Sequence, residues 1–87
     1  MPSIDIPKRF KKRLQKKPPE LVSAILEAID RLIENPSHPG LKVHPVQGTT
    51  GVFEAYIDLK NRLTFEFGPD GSIVLRNHCN HDILKRP

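Results

Sequence analysis

Three histidines, His44, His78 and His81, fall in the second half of this 87-residue chain together with Lys60, Arg62 and Arg76. Those residue types suit the cleavage of RNA by attack of a 2′-hydroxyl on the adjacent phosphorus. That reaction needs a base for the 2′-OH, an acid for the departing 5′-oxygen and cations for the charge that builds on the phosphorane. Histidine fits both proton roles because its ordinary pKa lies near neutrality. Arginine fits the third because its fork matches phosphate oxygens. Histidines with ordinary surface hydrogen bonds are the other reading of the same residues. A zinc site built on His78-Cys79-Asn80-His81 would be short of ligands, since Cys79 is the one cysteine,. That single cysteine also excludes an internal disulfide framework and suits a reducing compartment. Tyr56 could stack on a base, donate a proton, or simply pair across strands.

The net charge of +4 is concentrated. Residues 8–17, Lys-Arg-Phe-Lys-Lys-Arg-Leu-Gln-Lys-Lys, hold seven of the 14 basic side chains and no acid. The seven remaining bases face ten acids, so the rest of the chain is at −3. Lys8, Arg9, Lys12, Arg13 and Lys16 are therefore candidates for sequence-independent phosphate contact, or else the solvated face of a helix. The apolar face that Phe10 and Leu14 offer is too small for a membrane-surface helix. No apolar run reaches the ~18–20 residues of a membrane span, and no apolar core follows the N-terminal charges as in a signal peptide. A cytoplasmic protein without membrane association is expected.

The elements that must position these groups are legible in the periodicity. Ser3–Ile6 reads as a short strand, and Pro7 favours a helix start. Ile6, Phe10 and Leu14 share one face of the first helix, which Pro18-Pro19 ends. The second helix opens at Pro19 with Glu20 in its first turn. It carries an apolar arc of Leu21, Val22, Ile25, Leu26, Ile29, Leu32 and Ile33 and stops at Asn35 before Pro36. Beyond Gly40 the period becomes two. Residues 42–46 suggest an edge strand, because Pro45 cannot donate to a ladder. In Val52–Leu59, Phe53, Ala55, Ile57 and Leu59 face one way and Glu54, Tyr56 and Asp58 the other. Leu63, Phe65 and Phe67 alternate likewise. Gly68-Pro69-Asp70-Gly71 is a hairpin turn, and Ile73–Leu75 a last strand. The expected architecture is α+β, a single domain over residues 1–87. It has a short N-terminal strand, a two-helix hairpin, and a three- to four-stranded, mostly antiparallel sheet with the helices packed on one face.

Taken together, four segments resemble the RelE/ParE toxin superfamily of bacterial toxin–antitoxin systems. They are Phe10-Lys11-Lys12-Arg13-Leu14, Gly40-Leu41-Lys42-Val43-His44-Pro45-Val46-Gln47-Gly48, Asn61-Arg62-Leu63-Thr64-Phe65-Glu66-Phe67 and Arg76-Asn77-His78-Cys79-Asn80-His81-Asp82. The His-Pro-Val-Gln-Gly stretch is most similar to the YafQ-like branch, and the tail resembles a Gly-x-His-Asp closing motif with Cys79 in place of the glycine. The resemblance implies a ribosome-dependent endoribonuclease that cuts mRNA and inhibits translation. His81 would be the general acid, His44 the base or its helper, and Arg62 with Lys60 the phosphate clamp. Arg76 and Tyr56 would contact RNA, and the cationic helix would dock on ribosomal RNA. Its partners would be a cognate antitoxin, mRNA and the ribosome, with no metal and no small-molecule cofactor. The same superfamily also implies two alternatives, a non-catalytic ParE-like inhibitor of DNA gyrase and an inactivated RNA-binding member.

Overall fold

The structure is a computed structural model that describes residues 3–80. It contains, in order, β1 (Ile4–Asp5), α1 (Lys8–Leu14), α2 (Pro19–Glu34), a 3₁₀ turn (Pro39–Leu41), β2 (His44–Pro45), β3 (Val52–Tyr56), β4 (Asn61–Phe67) and β5 (Ile73–Asn80). Both helices start without a capping side chain. Pro7 and Pro18 instead hold the extended backbone of the N-cap, and Pro19 occupies the first turn of α2, where a missing N–H costs no helical bond,. At the other end of α2, Asn35 is extended, as the residue before Pro36 must be,.

The five strands lie in the order β1-β5-β4-β3-β2. Short turns make β2–β3, β3–β4 and β4–β5 antiparallel, while β1 pairs parallel to β5 through Ile4 and Ile73. Counting the two-residue strands β1 and β2 gives five where three to four were expected. Pro45 sits on the edge strand, where its missing donor faces no partner,. Gly71 closes the β4–β5 turn with φ +81°, a conformation that side chains with a Cβ rarely adopt,.

Both helices pack on one face of the sheet. Phe10 of α1 and Ile25, Ile29 and Leu32 of α2 bury against Ala55, Leu63, Phe65, Ile73 and Leu75. At one end of that face Phe53, Phe65 and Phe67 form a ring cluster with centroids 5.3–5.9 Å apart. Two sequence expectations change here. Leu26 is 45% exposed, and Ala28 takes its place in the buried arc. The reason is that the contact stripe follows residues 25, 28, 29 and 32, narrower than the apolar arc itself,. Leu59 is 81% exposed, because β3 ends at Tyr56 and the alternation stops before it.

The last strand is also longer than Ile73–Leu75. It runs to Asn80 and contains one irregularity. Phe65 pairs with Leu75 but Thr64 pairs with Asn77, which makes Arg76 an extra residue in β5,. Partners directly opposite share a face. Ile73 and Leu75 point to the helices, yet beyond the extra residue it is His78, opposite Leu63, that lies on the helix side. Cys79, opposite Arg62, lies on the other. Among the described residues no helix is long and apolar enough to cross a membrane.

Leu32→Ala is expected to cost about 2–5 kcal/mol through the cavity it leaves. Leu26→Ala, at an exposed site of the same helix, is expected to cost about 0.5 kcal/mol or less. Urea unfolding of the two variants tests the assignment of the contact stripe.

Candidate functional site

The face of the sheet opposite the helices carries the polar residues. The two-residue period of the strands brings His44, Glu54, Tyr56, Arg62 and Thr64 to that face, with His44 directly opposite Glu54 and Tyr56 directly opposite Arg62,. All of these but Thr64 border an open groove of about 600 Å³, whose other walls include Lys42, Pro45 and Leu59.

Glu54 is the centre of this arrangement. It is only 6% exposed, although it is an acid on the open face of the sheet. A buried carboxylate needs partners, and an arginine and a histidine flank this one. Arg62 Nε is 3.1 Å from Glu54 Oε1, and His44 Nε2 is 3.6 Å from Oε2. A second Arg62 nitrogen is also committed. This terminal nitrogen donates to the backbone carbonyls of Asp58 and Asn61. The guanidinium carbon lies 4.7 Å from the centre of the Tyr56 ring, and Lys42 Nζ lies 4.7 Å from the same centre,. Tyr56 is thus a platform for two cations.

His44 is oriented by its own backbone. Lys42 takes the left-handed conformation, φ 48° and ψ 43°, at the end of the 3₁₀ turn. Its carbonyl accepts a hydrogen bond of 2.8 Å from His44 Nδ1–H. A carbonyl can only accept, so in the neutral ring Nδ1 carries the proton and Nε2 keeps its lone pair. The nitrogen able to take a proton is the one beside Glu54.

The structure brings His44, Tyr56 and Arg62 together in this groove. It places the other expected contact residues elsewhere. Lys60 is exposed in the β3–β4 turn, where its amide donates to Asp58 Oδ1 at 2.9 Å. Arg76 donates to Glu66 Oε2 at 3.1 Å. Lys8, Arg9 and Lys12 are exposed on α1, on the helix side of the sheet, Lys16 is exposed just beyond its end, and Arg13 of the helix donates to Asn77 Oδ1. His81 lies outside the described residues. Two charged residues of the groove were not among the candidate site residues, Glu54 and Lys42. Alternation with Tyr56 put Glu54 on the open face, but its burial comes from the strands and loop around it. Nothing in the sequence marks Lys42 as left-handed.

His78 and Cys79 lie on opposite faces of β5, and among the described residues no group of three or more His, Cys, Asp or Glu is placed to hold a metal ion. Burial pushes the Cys79 thiol above its usual range. A hydrogen bond with Thr64 opposes that, the negative charge of Glu54 adds to it, and Lys17 weakly offsets it. The thiolate needed for nucleophilic attack is disfavoured. His78, half-buried on the helix side, is held below its ordinary value first by burial and then by the positive charge of Lys17, against a pull from Asp58,.

No family model matches this chain, and no curated relative does. Solved structures do. The archaeal RelE–RelB complex of Pyrococcus horikoshii superposes with a TM-score of 0.74 at 21% identity over 94% of this chain and 97% of that one. The toxin–antitoxin complex RelBE2 of Mycobacterium tuberculosis gives 0.72 at 20% identity over 93% and 100%. A YoeB/ParE toxin from Agrobacterium tumefaciens gives 0.70 at 15% identity over 91% and 98%. The chain shares the fold of these toxin structures.

Two outcomes follow from the geometry. Glu54→Ala leaves the largely buried Arg62 without its ion-pair partner and is expected to cost about 3 kcal/mol. The double variant Glu54→Ala/Arg62→Ala is expected to recover part of that loss in urea unfolding. The lowered His78 value gives a pH dependence of definite sign. The unfolded histidine takes up a proton near pH 6.5 that the folded one resists, so the unfolded state binds more protons and stability rises with pH. Its contribution is fully present above 6.5 and is lost as pH falls toward the folded value. His78→Gln is expected to flatten stability against pH between about pH 7 and 5, as thermal melts across that range would show.

Proposed function

We propose that this chain is the toxin of a toxin–antitoxin pair and that its groove cuts RNA by intramolecular attack of a 2′-hydroxyl. The single observation that carries this reading is the arrangement around Glu54. A histidine nitrogen with a free lone pair and an arginine fork share one carboxylate beside an open groove. The solved RelE and YoeB/ParE toxins that share its fold support the class.

In this mechanism His44 Nε2 takes the proton of the 2′-OH. Glu54, 3.6 Å away, stabilises the imidazolium that results, and the Nδ1–H bond to Lys42 holds the ring in place. The O2′–phosphorus bond forms and the phosphorus–O5′ bond breaks. Arg62 and Lys42, each held against the Tyr56 ring, counter the charge on the phosphorane oxygens. The departing O5′ takes a proton from an acid, a role the sequence resemblance assigns to His81. The products are a 2′,3′-cyclic phosphate and a 5′-hydroxyl.

The exposed cations of α1 lie on the other side of the sheet from the groove. They provide a separate polyanion contact, and ribosomal RNA is the partner proposed for it. The antitoxin is proposed from the RelE–RelB complex of the same fold.

The test is to induce the protein in cells and map mRNA 5′ ends, then repeat the assay with purified ribosomes and mRNA. Arg62→Ala and His44→Ala are each expected to lower cleavage by about 10²–10³-fold. Toxicity with intact mRNA in the parent chain would overturn the cleavage reading and leave a non-catalytic target such as gyrase.

A further inference from the structure

His78 lies outside the groove, yet it is joined to Arg62 by an unbroken set of hydrogen bonds. Arg62 is aimed not only by Glu54 but by two backbone carbonyls, those of Asp58 and Asn61. Its direction therefore depends on the shape of the β3–β4 turn. That turn is tied by the Asp58 carboxylate, which accepts from the amides of Lys60 and Asn61 at 2.9 Å each and from the Asn61 side-chain amide at 2.9 and 3.1 Å. Because Asn61 Nδ2 is turned toward Asp58, Asn61 Oδ1 is left as an acceptor. His78 Nε2–H donates to it at 2.7 Å,. His78 in turn is seated beneath α1 beside Phe10, Leu14 and Lys17.

We propose that His78 and Asn61 are positioning residues for Arg62. His78 would fix the Asn61 side chain, Asn61 and Asp58 would fix the turn, and the turn carbonyls would aim the guanidinium into the groove. The geometry favours this over a purely local role. The Asn61 side chain contacts both ends, His78 of β5 through Oδ1 and the Asp58 carboxylate of the turn through Nδ2, and the Arg62 contacts fall on the carbonyls of Asp58 and Asn61, the two residues so tied. The proposal rests on Arg62 being the group that binds phosphate in the groove. It can be read separately from that, because the state of the arginine is observable without RNA.

The experiment compares His78→Leu, His78→Gln and Asn61→Ala in the full chain. Gln keeps an N–H donor near the position of Nε2, whereas Leu keeps the bulk and removes the donor. The first readout is the Arg62 Nε–H resonance, which its pairing with a buried carboxylate protects from exchange with water. His78→Leu and Asn61→Ala are expected to broaden or shift it, and His78→Gln to preserve it. Folding is checked by the dispersion of the backbone amide spectrum. The second readout is binding of a short single-stranded 2′-O-methyl RNA, which cannot be cleaved. His78→Leu and Asn61→Ala are expected to weaken it about five- to tenfold. In an Arg62→Ala background neither is expected to weaken it further. An unchanged Arg62 resonance in folded His78→Leu and Asn61→Ala overturns the proposal, as does full additivity with Arg62→Ala. If Arg62→Ala itself leaves RNA binding intact, the RNA reading falls and the resonance alone decides the positioning role.

Discussion

A carboxylate that is nearly out of contact with water has to be surrounded by groups that answer its charge. Glu54 sits in the middle strand of three on the open face of this sheet, and its burial constrains everything around it. Arg62 must come from β4 and His44 from the edge strand, because those are the neighbours the pleat brings within reach. Once Arg62 is drawn to the carboxylate, one of its terminal nitrogens lies against the turn carbonyls and its guanidinium lies over Tyr56. The places of Arg62 and His44 in the groove are thus tied to one acid. A buried pair of this kind is weak evidence for stability, since desolvation offsets the attraction. It is better understood as a device that fixes directions.

The rest of the molecule keeps that face rigid by spending its apolar residues on the opposite one. Leu63 and Phe65 alternate with Arg62 and Thr64 along the same strand, so the element that holds the core also presents the polar face. A rotation of β4 large enough to misplace Arg62 would expose Leu63 and Phe65 to water. Preorganisation of this sort comes from packing as much as from hydrogen bonds.

Much of this was legible in the sequence because it follows from period and punctuation. The limits of α2 are written in Pro19 and Pro36, the faces of β3 and β4 in strict alternation, and the edge position of β2 in Pro45. Leu26 could not be placed from periodicity, since an apolar arc wider than the contact stripe leaves its margin undecided until the partner surface is known. The same holds for Glu54. Alternation gives its face, whereas its burial depends on what lies across from it on two other strands. The paired roles of His44 and Arg62 were suggested by residue type, but the carboxylate between them was not. The irregularity in β5 had no signal at all, because Arg76-Asn77-His78-Cys79 carries no glycine or other mark of a bulge.

That irregularity has a consequence for how such chains can diverge. Face assignment downstream of Arg76 depends on residue count and not on residue identity. Strict alternation from Leu75 over the same residues would put the thiol under α1 and the imidazole beside Arg62; the extra residue is what keeps them on the sides they have,. Deletion of Arg76 would straighten the strand and leave both side chains where they are. No single substitution can move both across the sheet at once. In a fold whose open face holds a charged groove, the groups beside the arginine are thus set by one extra residue and not by the identity of the residues that follow it.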